Sequence, residues 1–144
     1  MDSGADSLSR FVEAQENVYS EALSELRAGA KRTHWVWFIL PQLRNLGRSS
    51  TALYYGLSGP DEARRYLQHP TLGPRLVQCV KAITIHSNRT AIQMLGETDA
   101  LKFRSCLTLF ETIAPDEPCF AKALDLFYGG RRDPLTLKAL AAKD

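Results

Sequence analysis

Residues 30–47 read AKRTHWVWFILPQLRNLG, and the choice between helix and strand for the apolar run inside them decides the fold. Trp35 to Leu40 are six apolar residues in succession. Periodicity alone does not separate a short buried strand from a short buried helix. No other stretch of the chain alternates convincingly between apolar and polar residues, and a strand without partners is unstable. The run is therefore read as a helix from His34 to about Leu40, capped by Thr33. Pro41 closes it, because proline offers no backbone N–H and disfavours helical geometry at Leu40. The fold class that follows is all-α: a compact single-domain multihelical bundle of about seven to nine helices.

The flanking sequence agrees. Upstream, Leu8, Phe11, Val12, Tyr19, Ala22, Leu23 and Leu26 recur at helical spacing between Ser7, a good N-cap, and Gly29. This predicts one long amphipathic helix over 8–28, with Glu13, Glu16, Glu21 and Glu25 on a solvated face. Residues 1–7 are then a disordered tail and 8–144 the helical domain. Downstream, Ser49 or Ser50, Pro60, Thr71, Thr90, Thr98, Asp116 and Asp133-Pro134 each open a helix, and Gly56, His69-Pro70, Gly96 and Gly129-Gly130 mark stops.

A chain of 144 residues fits one domain with a radius of gyration of roughly 15 Å. With 44% apolar and 24% charged residues, it is close to the globular average and unlike a disordered chain. A net charge of +2 and a pI near 8.5 fall below the usual nucleic-acid-binding profile, so nucleic acid is a disfavoured partner. Cys79, Cys106 and Cys119 form no CxxC pair, which suits a reducing, cytoplasmic setting. The N-terminus lacks the basic and apolar regions of a signal peptide, and six apolar residues are far too few to span a membrane. His69 and His86 have no cysteine or carboxylate at ligand spacing, and no GxGxxG, phosphate-loop or GxSxG motif occurs. No metal and no cofactor is expected, and the oligomeric state is left open.

Several blocks together resemble a known family. They are His34-Trp35-x-Trp37-Phe38 with Pro41-Gln42-Leu43-x-x-Leu46-Gly47, Arg10-Phe11-Val12-x-Ala14-Gln15, and Tyr66-Leu67-x-His69-Pro70-x-Leu72-Gly73-x-Arg75-Leu76. The later blocks are Asp99-x-Leu101-Lys102-x-x-Ser105-x-x-Thr108-Leu109-Phe110 and Phe127-Tyr128-Gly129-Gly130-x-x-Asp133. The resemblance is to domain-of-unknown-function family 1810, small bacterial proteins sometimes labelled calpastatin, and it runs from about Leu8 to Leu140. It implies a compact multihelical fold and no particular activity. The family's Ser-Ser-Met-Thr block stands here as Ser105-Cys106-Leu107-Thr108, with a thiol in place of the second hydroxyl.

The candidate site lies at the start of the 34–40 helix. Lys31 and Arg32 precede Thr33, and helix N-termini with flanking cations favour anions. Aromatic rings at Trp35 and Trp37 lie beside them, and Gln42 either reads the edge of a ring or holds a turn. Ser105 and Thr108, three apart on an apolar helix, either bond back to carbonyls four residues earlier or line a pocket. These residues suit a small anionic metabolite, nucleotide-like in shape. His34 is the one candidate acid or base, or else a buried histidine satisfied by a carbonyl. The competing reading is a protein-interaction domain whose tryptophans are only core.

Overall fold

Ser105 to Phe110 are buried without interruption, so the helix that carries them shows no solvent face over that stretch and forms the axis of the molecule. The computed structural model describes residues 4–142. Among them lie α1 (Gly4–Gln15), α2 (Tyr19–Ala28), α3 (Val36–Ile39), a 3-10 turn (Arg44–Leu46), α4 (Ser50–Tyr55) and α5 (Pro60–Gln68). They are followed by α6 (Leu72–Thr84), α7 (Ala91–Leu95), the axial α8 (Glu97–Ile113), α9 (Pro118–Tyr128) and α10 (Pro134–Ala142). The all-α reading holds. No strand is formed among the described residues, and Leu43 and Leu57 make one isolated bridge. No described helix is long and apolar enough to cross a membrane.

Around α8 pack α9, α5, α7, α10 and α3. Phe11, Trp35, Tyr66, Phe103, Phe110 and Phe120 fill the centre with no exposed surface. Full burial of such side chains stabilises by roughly 1.5–3 kcal/mol each. Phe110 meets Tyr66 and Phe120 at ring-centroid distances of 5.8 and 5.7 Å.

The single helix expected over 8–28 is two helices. α1 ends at Gln15, and residues 16–18 form a turn before α2. The cause lies in Gln15, which is 1% exposed. Its side-chain amide donates to the carbonyl of Phe38 at 2.7 Å and to the hydroxyl of Tyr66 at 3.0 Å. The end of α1 is thereby tied to α3 and α5, and the chain turns. Helical spacing on both sides of such a turn looks continuous in one dimension. Of the expected tail, residues 4–7 belong to α1 and residues 1–3 lie outside the described residues; Ser7 is consequently inside the helix, not its cap.

Several other boundaries are as expected, and others have a different cap. Ser49 accepts the N–H of Ala52 at 3.1 Å. Thr90 and Gln93 form a reciprocal capping box. Asp133 caps α10 through Thr136 N–H at 3.0 Å. By contrast, α8 starts at Glu97 after Gly96, leaving Thr98 in its first turn, and Glu117 rather than Asp116 caps α9. At α6 the cap is His69, whose Nδ1 accepts the N–H groups of Thr71 and Leu72 at 3.1 and 3.2 Å.

One ion pair pins the N-terminal helix. Arg10 donates to both oxygens of Glu62 at 3.1 and 3.2 Å, to the carbonyls of Tyr54 and Gly56 at 2.7 and 3.1 Å, and to that of Ser7. Glu62 also accepts the N–H of Ser58 at 2.8 Å. Both side chains are largely enclosed, at 10% and 3% exposure.

Candidate functional site

The basic, donor-rich stretch before α3 holds an anion that belongs to the chain itself. Glu25, expected on the solvated face of its helix, is buried at 8% exposure. Its carboxylate accepts the backbone N–H groups of Arg32 and Thr33 at 2.8 and 3.1 Å, the Thr33 hydroxyl at 2.7 Å and the Trp35 indole N–H at 2.9 Å. Burial alone would raise the pKa of this acid. The donors of Arg32, Thr33 and Trp35 overcome it and hold the group at about 2, against an ordinary 4.5. Thr33 is therefore a partner of Glu25 and does not cap α3, which is a single turn beginning at Val36.

Lys31 is engaged as well. Its side chain is 7% exposed, with Nζ 2.8 Å from Asp99 Oδ2 and 5.1 Å from the centroid of the fully buried Trp35. Asp99 also faces Lys102 at 4.0 Å, and Lys102 lies 4.8 Å above the ring of Trp37. Two lysines thus flank one carboxylate, each over an indole. Arg32 is exposed, and its side chain makes no hydrogen bond or ion pair among the described residues. His34 is exposed and has no hydrogen-bond partner among the described residues; it is not the buried, carbonyl-bound histidine that was the alternative to a catalytic role. The carbonyl contact is made instead by the half-buried His86, whose Nε2 is 3.0 Å from the carbonyl of Leu26.

Trp37 is half-buried, and its Nε1 is the one enclosed side-chain polar atom without a hydrogen-bond partner among the described residues. An orphaned donor of this kind costs about 1–3 kcal/mol.

The remaining candidates gather elsewhere. Gln42 and Ser105 share a cavity of about 340 Å³ with Thr98, Leu101 and Lys102 of α8, Leu46 of the 3-10 turn, and Asp133 and Leu135 at the start of α10. Ser105 bonds back to Leu101 O at 3.2 Å and also donates to Asp133 Oδ2 at 3.1 Å. Thr108 bonds back to Arg104 O at 2.8 Å and accepts the N–H of Asp133 at 2.9 Å. Both hydroxyls therefore hold Asp133 against α8, and Ser105 lines the cavity in addition. The Gln42 side chain forms no hydrogen bond, while its carbonyl accepts the N–H of Leu57 at 2.9 Å.

Leu46 and Leu135 are shared with a second cavity of about 400 Å³, lined also by Asn45, Arg48 and Lys138. Among the described residues none that lines it is acidic. Arg48 and Lys138 take part in no ion pair among the described residues. Sequence reasoning missed both. Arg48 stood at the edge of the basic stretch, and Lys138 comes from a helix ninety residues away.

The thiols are inert by environment. Burial pushes Cys79 and Cys119 up to about 12 and Cys106 well above its ordinary value.

The family described as "Protein of unknown function (DUF1810)" matches residues 5–140. The chain belongs to this family. Among solved structures it is similar to the conserved hypothetical protein Rv1873 from Mycobacterium tuberculosis. The two share 45% identity and a TM-score of 0.92, over 93% of this chain and 96% of that one. A comparison with curated proteins finds no match. At this identity the relative supports the helical arrangement closely, and neither name carries an activity.

Proposed function

We propose that this DUF1810 chain is a cytoplasmic domain that binds a small anionic ligand in the groove between α8, the 3-10 turn and α10. The observation that carries the reading is the pairing of Arg48 and Lys138 in one cavity with no acidic neighbour. Both side chains are exposed, and a counter-ion between them would relieve what repulsion solvent leaves between like charges. Beside them, the Gln42 amide and the Lys102 ammonium line the adjoining cavity, which gives orienting donors next to the charge. Grooves of roughly 300–1,000 Å³ are the usual size for small ligands.

This keeps the ligand class suggested by the sequence and moves its seat. Lys31 and the amides before α3 are occupied by Asp99 and Glu25, so they have nothing left for an outside anion. His34 and Arg32 take no part in the reading.

A thermal-shift titration with phosphate and carboxylate compounds tests it. A ligand at about 100 times its dissociation constant adds about 2.7 kcal/mol of stability. The shift is expected to vanish in Arg48→Ala and Lys138→Ala and to persist in Arg32→Ala. A hit lost in Arg32→Ala but retained in the other two places the anion at the entrance to α3 and defeats the proposal.

The rival, an interaction domain without a small ligand, draws support from Leu101 and Leu135, which are 63% and 62% exposed on the same face. It predicts no shift with any small anion.

A further inference from the structure

Leu101, which lines the cavity of Gln42 and Ser105, is 63% exposed. That side chain also borders a third cavity of about 530 Å³, between α7, α8 and α9. Its walls differ in kind from those of the other two: Phe127 and Tyr128 of α9, Ala91 and Ile92 of α7, with Arg104 and Arg131 among its polar lining. The aromatic wall is fixed in place. The Tyr128 hydroxyl donates to the carbonyl of Ala100 at 2.6 Å, and Phe127 is backed by Phe103 at 6.5 Å between ring centroids. Arg104 donates to the carbonyls of Arg131 and Arg132 at 2.7 and 2.8 Å, which ties the loop after α9 to α8.

The shared residues set the order of the three compartments. Leu46 and Leu135 join the Arg48–Lys138 end to the middle, and Leu101 joins the middle to the aromatic end. One end is cationic and free of acid. The middle offers an amide, a hydroxyl and an ammonium from Gln42, Thr98 and Lys102, beside Ser105 and the Asp133 carboxylate that Ser105 and Thr136 already engage. The far end offers ring faces and aliphatic surface, with Arg104, Arg131 and Glu97 among its polar lining.

We infer that the ligand of this site is an elongated anion carrying an aromatic ring, of the chemical class of a phosphorylated nucleoside. The phosphate sits between Arg48 and Lys138, the hydroxyl-bearing section lies along Gln42 and Lys102, and the ring enters the cavity walled by Phe127 and Tyr128. A bare anion leaves the aromatic end empty, and an uncharged ring leaves the two cations facing each other. The inference rests on the anion-binding reading above and extends it by one compartment.

Calorimetric titration of the full chain with the four common nucleoside 5′-monophosphates, ribose 5-phosphate and the four unphosphorylated nucleosides tests it. The best monophosphate is expected to bind about tenfold or more tighter than ribose 5-phosphate, the increment that seating one base should bring. Ile92 is 56% exposed at the cavity wall, so Ile92→Trp occupies the ring compartment without disturbing the core. It is expected to abolish that advantage and leave ribose 5-phosphate unchanged. Lys138→Ala is expected to weaken every phosphate and no nucleoside. If the monophosphates bind no tighter than ribose 5-phosphate, or keep their advantage in Ile92→Trp, the ring assignment fails; phosphate binding that still depends on Lys138 then leaves the anion site standing. Phosphates that do not bind, or bind independently of Lys138, overturn both.

Discussion

Replacing Glu25 by Gln is expected to be among the most damaging single-atom changes in the molecule. The substitution keeps the shape and exchanges one carboxylate oxygen for an NH2 group. Three N–H donors meet Oε1 and the Thr33 hydroxyl meets Oε2. An amide can keep its oxygen on the three N–H groups, but its NH2 then forces the Thr33 hydroxyl from donor to acceptor, and the charge that strengthens all four bonds is lost. The magnitude follows from proton linkage. The acid is held at about 2 against an ordinary 4.5, and at about 1.4 kcal/mol per pKa unit that difference corresponds to about 3 kcal/mol of stability. Because the folded pKa is the lower one, this stability is fully present above about pH 5 and is lost as the pH falls from about 4.5 towards 2.

Urea unfolding at a series of pH values, on the parent chain and on Glu25→Gln, separates this contribution from others. Glu62 is also depressed by its bonds to Arg10 and Ser58, which outweigh its burial, so the parent loses stability in acid for more than one reason. The informative quantity is the gap between the two proteins. It is expected to be about 3 kcal/mol at pH 7 and to shrink steadily below pH 4.5. A gap under about 0.5 kcal/mol at pH 7, or one that stays constant down to pH 2.5, would refute the account of Glu25 as the anion that the α3 entrance is built around.

Three further outcomes follow from the same geometry. Arg10→Ala strands the buried Glu62 carboxylate and is expected to cost about 3–5 kcal/mol in chemical denaturation. Gly73→Ala would bring a Cβ to 1.9 Å from the carbonyl of Leu67; α6 must move off α5, and a fall in Tm of several degrees, the equivalent of about 1–3 kcal/mol, checks it. Trp35→Phe removes one of the donors to Glu25 and should cost about 1–3 kcal/mol beyond its packing loss, whereas Trp37→Phe deletes an N–H that has no partner and should cost clearly less. Equal losses for the two tryptophans would contradict the assignment of their indole nitrogens.

The helical class was legible because the signals are local. Ser49, Pro60, Thr90, Asp133 and Gly129 each act within one turn of their own position, and each sits where its type predicts. The break at residues 16–18 was not legible, because its cause is a hydrogen bond from Gln15 to a carbonyl twenty-three residues later. The site shows the same division. Gln42 and Ser105 were both named from the sequence, and they do line one cavity. What the sequence withheld was their neighbours: Arg48 and Lys138 meet only after α10 has folded back on the 3-10 turn, and no spacing records that contact.

The pattern at Lys31 and Arg32 carries a specific physical ambiguity. A run of backbone amides, a hydroxyl, an indole N–H and cations has the composition of an anion-binding site whether the anion is a ligand or a side chain of the same protein. The two cases differ only in whether an acid lies within reach. Here Glu25 is seven residues before Arg32, and the left-handed Gly29 (φ 72°) reverses the chain between them. The α2 helix thus delivers its own carboxylate into the turn that follows it. Glu25 looked solvated because its helix was read in isolation, where an acid among other acids belongs on the outer face. The donors of the stretch were therefore never vacant. Anion binding by this domain is sought where cations without an internal acid share one cavity, which is the criterion that selects Arg48 and Lys138.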